Sequence, residues 1–327
     1  MKLTKNNIFL FTLFIVFTLS CKKEETKPNF DILFNKVFQI IKTESIKKEE
    51  TNWTLIEETI KDSIPKFLNN NDVHKGIDQV LDLIDDKHSF FLYPGDKSNF
   101  LTNDSIQIPV VKSDILEGNI GYIKILGFAG NDSLSTLYSL KIRESIEQLD
   151  NHSNLNGWII DLRNNIGGKI GMIPLGISPL YKDSIIGLSY KNDGTLLQHR
   201  LLNDKYFYGN KSVISLKTQN VLKNNNKKIA VLVNENTASQ GEFTALSLKF
   251  QNNTKIFGSK TKGLTSDVQT YSFASGAFLG VTNALMCNEN KEIVYEINPD
   301  IECPTENSLE LAIEWIKQRH ITRNITH

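Results

Sequence analysis

From Gly121 onward, β-forming apolar runs alternate with helix-length segments, and this alternation is the feature that most constrains the fold. The strand-like runs IGYIKIL, GWIIDL and KKIAVLVN alternate with the helical segments SLSTLYSLKIRESIEQL and EFTALSLKF. Connections of this length are crossovers between parallel strands, because a hairpin needs only a few residues. The sequence therefore predicts an α/β fold with a mixed, largely parallel sheet.

Two hairpins are predicted within this order. One is SIIGLSYKNDGTLLQHRLL, whose turn is the Asn192–Gly194 segment, and the other joins VQTYSF to AFLGVTNALM. Asn, Asp and Gly between two apolar runs are typical of tight β-turns. A helix, SLELAIEWIKQRH, closes the pattern.

Before Gly121 the apolar residues follow a helical period instead. The segments FDILFNKVFQII, WTLIEETIKDSI and GIDQVLDLI have this spacing, as in the set Ile77, Val80, Leu81 and Ile84. They predict a small N-terminal helical cap of three helices. We expect a helical subdomain at 30–100 and the α/β domain at 101–327.

The first 20 residues have the pattern of a secretory signal. Lys2 and Lys5 precede the apolar run IFLFTLFIVFTL, which is short for a membrane span, and Cys21 follows it directly. The order resembles a lipoprotein processing site, and the next residues, KKEE, resemble a surface-export tag. Lipid on Cys21 would anchor the chain to the envelope, at the outer membrane or cell surface, through a tether at 21–29. A signal anchor with a chance cysteine is the alternative.

Composition narrows the classes of partner. Basic and acidic residues number 37 each, so the formal net charge is +0 and no broad positive field favours nucleic acid. The six histidines have no zinc-site spacing, so we predict neither a metal nor another cofactor. Cys287 and Cys303 are compatible with a disulfide or with two free buried thiols.

Two polar motifs follow buried strands and indicate the chemistry. DLRNNIGG at Asp161–Gly168 follows GWII, and NTASQGE at Asn236–Glu242 follows IAVLV. Each brings glycines or small side chains to a strand end, where backbone amides are exposed, and this predicts an acyl-transfer site. In isolation, Ser239 would more simply be a helix N-cap.

Four segments in order resemble the tricorn-core and carboxy-terminal-processing serine peptidases. They are DLRNNIGG, NTASQGE, GSKTKG at Gly258–Gly263 and INPDIE at Ile297–Glu302. The resemblance implies a core like that of the crotonase and Clp-peptidase superfold, a peptide or protein substrate, and Ser239 as the nucleophile at the start of a helix.

The resemblance also implies which base activates the serine. The processing-peptidase branch places a lysine where this chain has Leu264, and Lys260 and Lys262 are displaced along the chain from that position. The tricorn-like branch uses a histidine from the helical part, which LDLIDDKHSFF resembles at His88. A neutral imidazole can take the serine proton and return it to the leaving amine. We therefore expect a Ser239–His88 pair.

The remaining site residues are expected from the same resemblance. A glutamate shortly before the Pro-Asp element orients the histidine, which makes Glu296 the third catalytic member, with Glu292 as the alternative. The amides of Gln240, Gly167 and Gly168 are expected to form the oxyanion hole.

Three residues within these motifs are expected to have structural roles. We predict that Asp161 pairs with Arg163 and that Glu242 supports the nucleophile helix. Ile166 occupies a position that the family often fills with glycine.

The chain has no room for a PDZ domain, because only about thirty residues separate His88 from the strand at Ile120. Substrate choice is then expected in the cap helices and the Tyr181–Asn226 insertion. These features predict an envelope-anchored serine endopeptidase. The alternative is a catalytically inactive binding protein on the same scaffold, and an acyl-coenzyme A enzyme is disfavoured by the export signal.

Overall fold

The computed structural model describes residues 29–64, 66–93, 106–152, 154–217, 227–250 and 253–318. The predicted signal segment, Cys21 and the expected domain boundary at residue 100 lie outside these ranges and stay predictions. The helices are α1 Phe30–Glu44, α2 Trp53–Ser63, α3 Asn70–Leu83, α4 Asp132–His152, α5 Met172–Gly176, α6 Gln240–Lys249 and α7 Ser308–Lys317, with a 3-10 turn at Ser178–Leu180. The strands are β1 Phe90–Leu92, β2 Lys112–Leu116, β3 Ile120–Lys124, β4 Gly157–Asp161, β5 Ile185–Lys191, β6 Leu196–Leu202, β7 Lys205–Tyr208, β8 Lys211–Ser215, β9 Lys228–Val233, β10 Thr254–Gly258, β11 Ser266–Ser272, β12 Phe278–Cys287 and β13 Ile301–Glu302.

A six-stranded sheet forms the centre of the α/β part, in the order β13-β10-β9-β4-β3-β2. Its pairs are parallel except for β2 with β3. Strands β4 and β9 are adjacent, so the segments that follow them emerge at the same sheet edge. This confirms the predicted parallel sheet and brings the DLRNNIGG and NTASQGE motifs together.

A second, seven-stranded antiparallel sheet has the order β1-β12-β5-β6-β7-β8, with β11 on the other edge of β12. Both predicted hairpins, β5–β6 and β11–β12, belong to it. That they join in a separate sheet was not predictable from local patterns, because the long-range pairing of β12 with β5 connects them.

The three N-terminal helices form as predicted, and an asparagine caps each of them. Asn29, Asn52 and Asn69 accept hydrogen bonds from the backbone N–H groups three residues on, at 3.0 to 3.2 Å. The buried helix side chains pack against Phe91, Leu279 and Val281 of β1 and β12. The cap is therefore attached to the antiparallel sheet.

The parallel sheet is covered on both faces. One face packs with α4, α5 and α6 around buried residues such as Trp158 and Phe243, and the other packs against α7 through Ala312 and Ile316. Within the described ranges, no helix has the length and apolar character needed to cross a membrane.

Candidate active site

Ser239 lies on the turn between β9 and α6. Its backbone has φ 53° and ψ −119°, a conformation that residues other than glycine rarely adopt. The turn lifts the side chain out of the helix, so the hydroxyl faces His88. A strained residue at such a strand-to-helix turn is typical of a nucleophile that must be exposed at the end of a sheet.

The Glu242 side chain holds this turn in place. Its carboxylate accepts hydrogen bonds from the backbone N–H of Ser239 at 2.9 Å, from the Thr261 hydroxyl at 2.5 Å, and from the N–H groups of Gly263 and Leu264 at 2.8 Å each. Burial raises the pKa of Glu242, and these donated hydrogen bonds oppose the rise. Glu242 therefore supports the nucleophile helix, as expected from the sequence.

A buried asparagine ties the glycine turn after β4 to the nucleophile turn. Asn165 Oδ1 accepts from Gly167 N–H at 2.9 Å, its Nδ2 donates to the Ile125 carbonyl at 3.0 Å, and its own carbonyl accepts from Ala238 N–H at 2.8 Å. A Cβ atom on Gly167 would lie 2.6 Å from Ser239 Cβ, so only glycine permits this approach.

These contacts correct one predicted oxyanion donor. The Gly167 amide is already bonded to Asn165, which leaves the amides of Gly168 and Gln240, and neither donates to a residue that the structure describes. Gln240 is the first residue of α6, where the helix dipole also favours negative charge. Gly168 and Gln240 are the donors that remain for an oxyanion.

His88 is brought to Ser239 by the segment that joins α3 to β1. Asp86 accepts hydrogen bonds from the N–H groups of His88 at 3.1 Å and Ser89 at 2.9 Å, and also from the Thr282 hydroxyl of β12 at 3.1 Å. The imidazole Nε2 then lies 2.9 Å from Ser239 Oγ. The structure thus brings together two residues that are 151 positions apart.

The other imidazole nitrogen does not face a glutamate. His88 Nδ1 lies 2.6 Å from Ser266 Oγ at the start of β11. Glu296 pairs instead with Lys260 at 2.7 Å, and Glu292 bonds to Asn288 in a turn, so neither alternative from the sequence is in place. The prediction that a glutamate orients His88 was wrong. A position shortly before the Pro-Asp element does not determine the direction in which the glutamate side chain points.

Burial governs the protonation of His88. It lowers the pKa of the imidazole, while the carboxylates of Asp86 and Asp267 act in the opposite direction and raise it. The net direction is downward, so the ring is neutral and can accept a proton at neutral pH.

Lysine does not replace histidine here. Lys262 is exposed, Lys260 is engaged with Glu296, and Leu264 donates its N–H to Glu242. Among the residues that the structure describes, no cluster of His, Cys, Asp or Glu side chains is arranged to hold a metal ion.

Two structural predictions from the sequence can be compared with the structure. Cys287 and Cys303 are both free thiols; the first is buried, as one alternative expected, and the second is partly exposed, which neither alternative expected. Asp161 and Arg163 pair at 2.6 Å, as expected.

Sequence reasoning missed Ser266, although a signal for it exists. Ser266 is two residues after Leu264, the position at which related peptidases carry lysine. Because side chains two residues apart share a face of an extended segment, the sequence could have predicted Ser266 on the same side as that position.

A serine at a helix start, hydrogen-bonded to a neutral histidine and next to two amides that have no acceptor among the described residues, has the parts of a serine hydrolase. The model of peptidase family S41 matches residues 119–303, which is more than half of the chain. The chain therefore belongs to peptidase family S41 and is by class a serine peptidase.

Individual relatives agree with this family. The chain is 34% identical over 235 residues to the nisin-resistance protein of Lactococcus lactis subsp. lactis, covering 71% of this chain and 70% of that protein. It is 29% identical over 195 residues to the chloroplastic carboxyl-terminal-processing peptidase 2 of Arabidopsis thaliana, covering 56% of this chain but only 33% of that longer protein.

A solved structure shares the overall fold. A lipoprotein from Streptococcus agalactiae superimposes with a TM-score of 0.74 at 20% sequence identity, covering 95% of this chain and 99% of that one. The likeness extends over the cap helices as well as the family core, so the arrangement of both sheets and the cap recurs in another protein.

Proposed function

We propose that the protein hydrolyses peptide bonds inside polypeptides through an acyl-enzyme on Ser239, with His88 as the general base. The observation that carries the proposal is the 2.9 Å contact between His88 Nε2 and Ser239 Oγ at the N-terminus of α6. The contact is supported by the positive-φ backbone conformation of Ser239 and by the buried Glu242 carboxylate, which accepts a hydrogen bond from the Ser239 N–H.

The chemical steps follow from the geometry. Nε2 takes the hydroxyl proton as Oγ attacks the scissile carbonyl, and the amides of Gly168 and Gln240 donate to the resulting oxyanion. When the tetrahedral intermediate collapses, the same imidazolium gives the proton to the leaving amine. A water molecule, deprotonated by His88, then releases the acyl group and restores the serine.

The test is covalent labelling of the folded protein with a fluorophosphonate, followed by peptide mapping. We expect the label on Ser239 and its loss in His88→Ala, because an unactivated serine is a poor nucleophile. Label on another serine, or equal labelling of the His88→Ala variant, would overturn the assignment. Circular dichroism of both proteins controls for folding.

We further propose nisin as a substrate. The support is the 34% identity to the nisin-resistance protein across most of both chains. Incubation with nisin and mass spectrometry should show a cleavage product with the wild-type protein and none with Ser239→Ala. Intact nisin alongside a labelled, active Ser239 would reject this substrate and leave the peptidase mechanism in place.

We also propose that the mature chain begins at a lipidated Cys21 and is held at the cell envelope. The support is the apolar signal followed by Cys21 and KKEE. Mass spectrometry of detergent-extracted protein should find diacylated Cys21 as the first residue. An unmodified thiol or a different first residue would contradict the anchor without touching the proposed chemistry.

A further inference from the structure

The hydroxyl group beside His88 Nδ1 belongs to a well-fixed strand. Ser266 is only 7% exposed and begins β11, which pairs with β12 along its whole length. Thr282 of β12 also bonds to the Asp86 carboxylate that holds the His88 backbone. The imidazole and its hydroxyl partner are therefore fastened to the same strand.

Among the described residues, no carboxylate makes a hydrogen bond to the Nδ1 atom of His88. Asp267, the next residue after Ser266, is buried and lies 3.4 Å from His199 Nε2, and neither of its oxygens has a hydrogen-bond partner in the described part of the chain. The other contacts are Glu242 with the amides under Ser239, Asp86 with the backbone of its own turn, and Glu296 with Lys260. Ser266 is thus the side chain in hydrogen-bond contact with Nδ1.

We propose that Ser266 is the positioning residue of this site, a neutral hydroxyl in the place where many serine hydrolases have a carboxylate. The inference rests on the proposed function of Ser239 and His88. When the Nε2 atom that faces Ser239 is unprotonated, Nδ1 carries the ring proton and donates a hydrogen bond to Ser266 Oγ. The hydroxyl thereby fixes the ring plane that the reaction requires.

A hydroxyl and a carboxylate differ in two ways that can be measured. A carboxylate only accepts hydrogen bonds and so imposes one tautomer, whereas a hydroxyl can also donate to Nδ1. A carboxylate also stabilises the imidazolium through its charge, and a hydroxyl does not. The carboxylates whose charge acts on His88 are Asp86 in its own segment and Asp267 of β11, while Glu242 of α6 bonds to the backbone N–H of Ser239.

Ser266→Ala should lower kcat by about tenfold and leave KM within about twofold, because Ser266 is only 7% exposed and acts through the imidazole. Ser266→Thr keeps the hydroxyl and should restore most of the loss. Ser272→Ala, at the exposed far end of the same strand, is the matched control and should behave as wild type.

Ser266→Asp separates positioning from a merely structural role. It introduces a negative charge next to the imidazole, so the acid limb of the kcat/KM profile should move to higher pH. An unmoved acid limb in a folded Ser266→Asp, or full activity in Ser266→Ala, would overturn the proposal. Fluorophosphonate labelling of Ser239 in the wild type tests the peptidase mechanism separately.

Exposed apolar side chains beside the glycine turn carry a second, independent inference. Ile166 is 70% exposed although it directly precedes Gly167, whose Cα adjoins Ser239, and Leu126 on the neighbouring loop is 36% exposed. The two loops are joined by the hydrogen bond from Phe128 N–H to the Gly167 carbonyl at 2.9 Å. Ile166 therefore offers apolar surface directly beside the Ser239 turn.

We infer that Ile166 contacts the substrate next to the scissile bond, with Leu126 adjoining it, and favours apolar side chains there. This too rests on the proposed function. Ile166→Ser should lower kcat/KM about tenfold for peptides with a leucine flanking the cleaved bond, and little for the matched serine peptides.

Leu202→Ser is the control, because Leu202 is 51% exposed on β6 and belongs to a different part of the surface. Equal losses on both peptide sets, or an unchanged ranking in Ile166→Ser, would contradict the inference. Retained labelling of Ser239 in Ile166→Ser would show that the catalytic groups are intact in either case.

Discussion

The two halves of the candidate site are built differently. The nucleophile half is built on the turns that follow two adjacent parallel strands, β4 and β9, and Glu242 and Asn165 bond mostly to backbone groups there. The base half is attached to the antiparallel sheet, where β1 and β11 both pair with β12 and bring His88 and Ser266 together. Both halves depend on strands that are distant in sequence, but the turns of the nucleophile half have a local sequence signal and the contact between His88 and Ser266 does not.

The largest effect should come from removing either reacting group. Ser239→Ala and His88→Ala should each lower kcat by several orders of magnitude, with melting temperatures within a few degrees of wild type. Because the two groups act as a unit, the double variant should be no worse than the poorer single one. Additive losses in kcat would show that the halves act separately.

Next in size is the effect of loosening the nucleophile half. Asn165→Ala leaves the Ile125 carbonyl and the Gly167 amide without their buried partner, which should cost about 2 kcal/mol in the free energy of unfolding. We expect kcat to fall as well, because the glycine turn moves. Asn236→Ala, at an exposed asparagine nearby, is the control in urea unfolding and steady-state kinetics. An equal response of both variants would refute the special role of Asn165.

The sequence defined these halves unequally, for physical reasons. The strands, the Ser239 turn and Glu242 were predictable, because apolar periodicity and turn composition are local signals. Ser266 and the second sheet were not, because they depend on which strands pair across the chain. Glu296 shows the same limit: its place shortly before the Pro-Asp element suggested the orienting role, yet its carboxylate pairs with Lys260.

A smaller effect is expected from loosening the base half. Asp86→Asn weakens the hydrogen bonds to the backbone of His88 and removes a charge that raises the imidazole pKa. We expect kcat to fall about tenfold and the acid limb of activity to move to lower pH. Asp85→Asn is the control, because it removes the same charge one residue away, at an exposed position with φ 52° that asparagine tolerates. It should change neither kcat nor the pH of the acid limb.

The smallest expected effect is a shift of the wild-type pH profile from the one that an ordinary histidine would give. Burial lowers the pKa of His88, so the acid limb of kcat/KM should have its midpoint below 6.5, the ordinary value for histidine. A pH series at constant ionic strength measures it. A midpoint above 6.5 would mean that a charge stabilises the imidazolium, as a carboxylate partner would.

The long strand β12 also makes the two sides of the imidazole depend on each other. β1, which begins two residues after His88, pairs with one part of β12, and β11, which begins at Ser266, pairs with β12 along its length. A slip of either strand by one residue would turn its side chains to the opposite face of the sheet and would separate His88 from Ser266. The register of three strands, and not the sequence of any one of them, therefore determines whether the imidazole meets its hydroxyl partner.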